Sequence, residues 1–297
     1  MNEDLVSVII TTYKRDITIL KRAISSVLEQ TYKNIEIIIV NDYPPYELGI
    51  KELINKYDNI RCIFHKNNEG ACKSRNDGIN ISKGKFIAFL DDDDEWFPKK
   101  IERQVSIIKK SNVDIVYCSG KYIYSDRTSE KSPFIYYPEK NLLQELLKKN
   151  FMGGCSFPLM KKDKLLSVGC FDENFPSSQD YDLWIRFAIN YNVGYIDEEL
   201  VKYYVMDQSI SSNIDKRIVG YKMLLKKYRK YYSKYPKSKA DFYKVITENA
   251  FHNKKFITTL ITILESFSVF PHNYNVIFIP LSVSVKYILN RLNKKKS

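Results

Sequence analysis

Five carboxylates crowd one short stretch, Asp91-Asp92-Asp93-Asp94-Glu95, directly after the apolar run at residues 86–90. Like charges packed this closely repel one another unless a cation or polar ligand compensates them, and hard divalent ions such as Mg²⁺ or Mn²⁺ take oxygen donors of this kind. A metal held there is well placed to bind a diphosphate. Taken alone, the run reads first as a solvated acidic loop that also caps the next helix. A second candidate is Gln179-Asp180-Tyr181-Asp182-Leu183-Trp184, at the start of an amphipathic stretch. A carboxylate there is either a helix cap or a base able to take a proton from a hydroxyl.

Such groups act together only if the chain delivers them to one edge. Residues 6–11 and 35–40 are β-branched runs too short for helices, and residues 17–30 between them carry apolar side chains at helical spacing, which predicts a βαβ unit. The pattern continues with a helix near 47–56, a strand near 61–65, a helix near 72–81 and a strand at 85–90. This alternation predicts an α/β fold, with a mostly parallel central sheet flanked by helices and ligands bound at the strands' C-terminal ends. Pro98 is expected to open a helix running through Lys110, followed by a strand at 113–118. Beyond it the half reads as mixed: a hairpin or loop over 120–137, a short helix over 142–149, a strand over 155–160, a helix over 180–190, and strands over 194–196 and 201–206. Past Ser212 the chain reads as helical and rich in Lys and Tyr. The expected domains are therefore 1–212 and a C-terminal helical appendage, 213–297.

Four groups of residues fall on the predicted rim: Thr11-Thr12-Tyr13-Lys14-Arg15, Asn41-Asp42, residues 70–76 and the acidic run. With them, the segments VSVIITTYKR, IEIIIVNDY, NNEGACKSRNDGI, GKFIAFLDDDDEWFPKK and GCFDENFPSSQDYDLWIRFA, in this order, resemble family 2 glycosyltransferases. These are inverting enzymes with the GT-A fold. The resemblance implies that Thr11, Tyr13 and Asp42 surround a pyrimidine base, a role suited to a carboxylate that accepts a base N–H and a ring that stacks. Read alone, Thr11 is a strand residue, Tyr13 packing and Asp42 a turn or cap. Arg75 is implied to lie near the nucleotide, binding a phosphate or orienting Asp92; alone it is a surface helix arginine. The family's D-x-D falls on Asp91-Asp92-Asp93, with Asp93 binding Mn²⁺ or Mg²⁺ and with Asp91 and Asp92 contacting ribose or metal-bound water. The register is open by one residue. Asp94 and Glu95 are expected to cap the Pro98 helix, and Asp180 is the implied catalytic base.

The implied activity moves a sugar from a nucleotide-diphosphate donor, UDP-linked, to a hydroxyl of a glycan or lipid-linked acceptor in cell-surface polysaccharide synthesis. Two departures favour an alternative, a catalytically silent binding protein. Gln179 stands where many relatives have Glu, and Met206, a poor ligand for hard ions, stands where relatives often carry a metal-binding histidine. In the enzyme reading metal binding then rests on Asp93, diphosphate oxygens and water, with Asp207 as a substitute ligand, and His65, His252 and His272 fall at no matching place.

Composition supports a folded protein, hydrophobic 44% and charged 28%. The net charge of +12 is not spread evenly: residues 201–297 hold 19 Lys and Arg against 5 Asp and Glu, and residues 1–200 hold 28 against 30. Lysines interleaved with tyrosines over 216–239 read as an amphipathic helix packed on a domain rather than a nucleic-acid surface. The apolar stretches 256–270 and 276–292, ending in Lys294-Lys295-Lys296, suit either peripheral membrane contact or a plain helical appendage. Five cysteines without a C-x-x-C pair argue against zinc ribbons and disulfide frameworks, and an acidic N-terminus lacks the look of an export signal. A cytoplasmic protein at the inner face of the membrane is expected.

Overall fold

The computed structural model of the protein describes residues 3–55, 57–124, 128–131, 141–205, 213–272 and 276. These fall into two compact units: one holds the described residues up to 131 with 151–174 and 179–205, the other holds 141–150, 175–178 and those from 213 onward. The first unit opens with β1 (Val6–Thr12), α1 (Ile17–Leu28), β2 (Ile35–Asn41), α2 (Glu47–Ile54), β3 (Ile60–Phe64), α3 (Ala71–Ile81) and β4 (Phe86–Asp91). It continues through β5 (Glu95–Trp96), α4 (Lys100–Lys110), β6 (Ile115–Ile123) and β7 (Ser129–Lys131). The chain then contributes α5 (Leu142–Leu146) to the second unit before β8 (Leu159–Lys161), α6 (Lys162–Ser167), α7 (Gln179–Asn190) and β9 (Val193–Tyr204) complete the first.

Among the described residues one nine-stranded sheet runs β3-β2-β1-β4-β8-β6-β9-β5, with β7 on β6. Its first four strands are parallel, β8 is antiparallel to both neighbours, β6 and β9 are parallel, and β5 is antiparallel to β9. The parallel half is buried on both faces, which explains why β1, β2 and β4 read as unbroken apolar runs. Helix α1 buries Leu20, Ala23, Ile24 and Val27 along one stripe, and Asp16 caps it by accepting the Thr18 N–H at 2.8 Å.

Three expectations need correction. The strand expected over 155–160 is only Leu159–Lys161, because residues 153–157 form a turn that brings Ser156 under the acidic run. The strands expected over 194–196 and 201–206 are one strand, β9, whose register against β6 shifts around Ser119; residue 206 lies outside the described residues. At that shift a Cβ on Gly120 would stand 2.6 Å from the Val201 carbonyl oxygen, so the close approach of the strands needs a glycine. Finally, α4 begins two residues after Pro98, and neither Asp94 nor Glu95 caps it. Glu95 instead pairs with Lys202 across β5 and β9.

The second unit consists of α5, α8 (Ile214–Lys227), α9 (Arg229–Lys234), α10 (Pro236–His252) and α11 (Phe256–Val269). Residues 141–150 join it through the Tyr232 hydroxyl, which donates to the Leu147 carbonyl at 3.1 Å, and the Ser238 hydroxyl, which donates to that of Gln144 at 3.1 Å. Tyr228, Tyr232 and Tyr243 are buried, with Tyr232 stacked on Phe242. The Lys/Tyr pattern is thus the two faces of packed helices. No helix among the described residues is long and apolar enough to cross a membrane, and the segment 277–297 lies outside them.

Candidate functional site

The exits of β1, β2 and β4 converge because their registers match: Thr12 is level with Asn41, and Thr11 with Asp91. After β4 the chain makes a tight turn, in which the Asp94 N–H donates to the Asp91 carbonyl at 3.0 Å. The four aspartates therefore point in different directions and take different partners. Asp91 accepts from Arg75 Nη2 at 2.7 Å, and the Arg75 guanidinium lies 5.4 Å from the ring centre of Phe171. Asp92 is buried, accepting from Arg15 Nε at 2.9 Å and from the Thr12 hydroxyl. Asp93 accepts from Arg15 Nη2 at 2.9 Å, while its carbonyl accepts from Arg22 Nη2 at 2.6 Å. Asp94 is fully buried between the Ser156 hydroxyl at 2.5 Å and the Tyr204 N–H at 3.2 Å.

Arg75 thus pairs with Asp91 rather than with Asp92, the partner in one of its two implied roles. The cation on Asp92 is Arg15, which bridges it to Asp93. Burial pushes Asp94 well above the usual carboxylate range, so it is a structural acid fixing the turn to β9. Burial, reinforced by the Asp91 and Asp92 charges, pushes Asp93 up to about 6. Asp92 and Asp93 thus share one arginine. The donors are all oxygen, which suits a hard divalent cation. Among the described residues no three His, Cys, Asp or Glu side chains converge as metal ligands. Met206 and Asp207 lie outside the described residues.

Asp180 stands in the first turn of α7, where its carboxylate accepts from the Tyr181 N–H. The charges of Arg75 and Asp91 both act on it. It is half-buried, and burial raises its pKa to about 6 against the pull of Arg75. Asp182 is structural, buried and bound by Arg186 Nε at 2.9 Å, while Trp184 is core and donates from Nε1 to the Gly153 carbonyl at 3.0 Å. Asn76 ties α3 to the segment ahead of α7, bonding both backbone groups of Phe171 at 3.0 Å.

Asp42 follows β2 and accepts three hydrogen-bonding groups: the Glu69 N–H at 2.7 Å, the Gly70 N–H at 2.8 Å and His65 Nδ1 at 2.8 Å. Gly70 holds φ +89°, a left-handed geometry that turns the loop into α3. His65 reaches Asp77 with its other nitrogen at 3.1 Å. Near this corner Tyr13 is 43% exposed, set edge-on to Tyr43 at 5.6 Å, with the Lys14 ammonium 5.2 Å from its ring centre. Thr11 is half-buried within the sheet beside Asp91.

Sequence reasoning placed Thr12 and Arg15 on the rim without a role, set His65 aside and passed over Ser156. Arg15 was legible only as a basic residue leaving the first strand, and His65 only as a histidine at the end of the third.

Residues 7–169 match the family described as Glycosyl transferase family 2. An uncharacterized glycosyltransferase of Methanocaldococcus jannaschii is 36% identical over 68% of this chain and 71% of its own length. The Escherichia coli protein named UDP-Glc:alpha-D-GlcNAc-diphosphoundecaprenol beta-1,3-glucosyltransferase WfgD is 33% identical over 72% of this chain and 82% of its own. The putative colanic acid biosynthesis glycosyl transferase WcaA of E. coli is 28% identical, over 89% and 94% respectively. Among solved structures, S. aureus TarS in complex with UDP-GlcNAc superposes with a TM-score of 0.64 at 14% identity, over 89% of this chain and 81% of that one.

Proposed function

The chain belongs to glycosyl transferase family 2 and has a GT-A fold, and on that premise we propose that it is a metal-dependent inverting glycosyltransferase. Its donor is a UDP-sugar, as the WfgD and TarS names suggest by analogy, and its acceptor is a hydroxyl of a glycan or lipid-linked glycan in cell-surface polysaccharide synthesis. Residues 1–212 form the catalytic domain in this reading. Residues 213–297 form a helical region that makes peripheral contact with the inner face of the membrane, where a lipid-linked acceptor resides.

The observation that carries the reading is the shared field of Arg75, Asp91 and Asp180 beside the Arg15-bridged carboxylates. Thr11, Tyr13 and Asp42 take the base, with Asp42 also holding the loop that opens α3. Arg75, Asp91 and Asp92 position the ribose and diphosphate. Asp93 would hold Mn²⁺ or Mg²⁺, which stabilises the negative charge of the departing diphosphate when bound. Asp180 accepts the proton of the acceptor hydroxyl as that oxygen attacks the anomeric carbon. Attack opposite to the departing group inverts the configuration.

Hydrolysis of UDP-sugars assayed with and without Mn²⁺ tests the reading. Turnover should depend on the metal and fall by at least about 10²-fold in Asp93→Ala, with the fold intact by circular dichroism. The silent-protein alternative, favoured by Gln179 and Met206, predicts no metal-dependent turnover to lose.

The pH profile gives a second expected outcome. Asp180 works only when ionised, and Arg75 on α3 and Asp91 on β4 are the charges acting on it most strongly. With its carboxyl held at about 6, kcat/KM should fall about tenfold per pH unit below that value. A flat profile down to pH ~4.5, the range of an ordinary carboxylate, would show that burial does not raise the pKa of the working base.

A further inference from the structure

Helix α11 is built inside out for a helix in water. Its buried residues are Thr259, Thr262 and Ser266, spaced three and four apart. Thr262 shares a hydrogen bond of 2.8 Å with Thr247 on α10, and the Ser266 hydroxyl donates to the Ala240 carbonyl at 3.2 Å. The opposite side carries the large apolar residues: Phe256 is 64% exposed, Ile257 79%, Leu260 61%, Ile261 47% and Leu264 61%. A helix on a water-soluble domain turns its apolar stripe inward. Small hydroxyl residues at the helix contact with bulky apolar ones facing out is the arrangement of helices packed in lipid.

We propose that this outward face docks onto the headgroup region of an anionic lipid bilayer. At 14 residues the helix is about 21 Å long, too short to span a hydrocarbon core but able to lie along its boundary. Charge selects the occupant. Residues 201–297 carry 19 basic against 5 acidic residues, an excess that anionic lipid attracts and a second copy of the same region repels. The inference deepens the peripheral contact proposed above and rests on that reading.

Flotation of the full chain with phosphatidylglycerol-containing vesicles, against pure phosphatidylcholine vesicles, tests it. The parent protein should float with the anionic vesicles and lose that binding in high salt. Leu260→Glu/Leu264→Glu, both at exposed positions, should bind at least tenfold more weakly while keeping the parent's melting temperature and its stabilisation by UDP. Leu264→Gln serves as a milder variant should the pair fail to fold. Undiminished flotation of the variants would overturn the proposal and move the contact to residues 277–297. Parent protein that stays unbound and runs as a dimer, converted to monomer by the substitutions, would overturn it in favour of a second copy. Flotation without any UDP stabilisation would count against the catalytic reading alone.

Discussion

Asp180→Asn lowers turnover by about 10²–10⁴-fold, leaves stabilisation by UDP in place, and raises the melting temperature of the free protein by a few degrees. The rate falls because an amide cannot take the acceptor's proton. The stability rises because burial already disfavours the charged carboxyl, holding its pKa at about 6 rather than the ordinary 3.8. Between those values the folded chain keeps a proton that the unfolded chain has released. Stability therefore falls as pH climbs through this window, and the full penalty persists at neutral pH. Its size is on the order of 1–3 kcal/mol. Melting curves of parent and variant should lie apart at pH ~7.5 and close together near pH ~4, as the same linkage requires. An unchanged rate sinks the base assignment, and a gap that ignores pH sinks the electrostatic account.

Arg75→Ala should destabilise the protein by roughly 3 kcal/mol and abolish stabilisation by UDP. The guanidinium bonds Asp91, packs on Phe171 and is the main positive charge felt by Asp180. Removing it leaves a carboxylate in a crowded site without its partner, the costly way to break such a pair. Arg75→Lys keeps the charge but not the planar group and should recover only part of the loss. Urea melts give the stability change, and UDP-dependent thermal shift gives the binding. Parent-like melts in Arg75→Ala would show that Asp91 is well solvated on its own.

Local pattern carried the first half of the fold. Strands β1, β2 and β4 are short, β-branched and buried on both sides, and α1 shows its stripe, so the alternation could be read without coordinates. The second half resisted because β8 has only three residues and β9 bends past Ser119 in mid-strand, leaving no clean period. The site divided in the same way. Its candidate residues could be named from motifs, but Ser156 and the role of His65 could not, nor could the pairings. Arg15 meets Asp92 across 77 positions, and Ser156 meets Asp94 across 62. No local rule distinguishes four neighbouring aspartates, yet in the fold one is bonded by Arg75, two share Arg15 and the last is sealed inside. His65 likewise gained its place only when β3 came to lie beside β2.

The Arg15 bridge has a wider consequence. A carboxylate pair that carries its own built-in counter-charge keeps its shape when no ion is present, so folding is uncoupled from metal supply. On the proposed function, a divalent ion would be held with the help of the diphosphate oxygens that arrive with the substrate rather than stored by the fold. A chelator should then leave the protein folded while removing the metal-dependent turnover proposed for it.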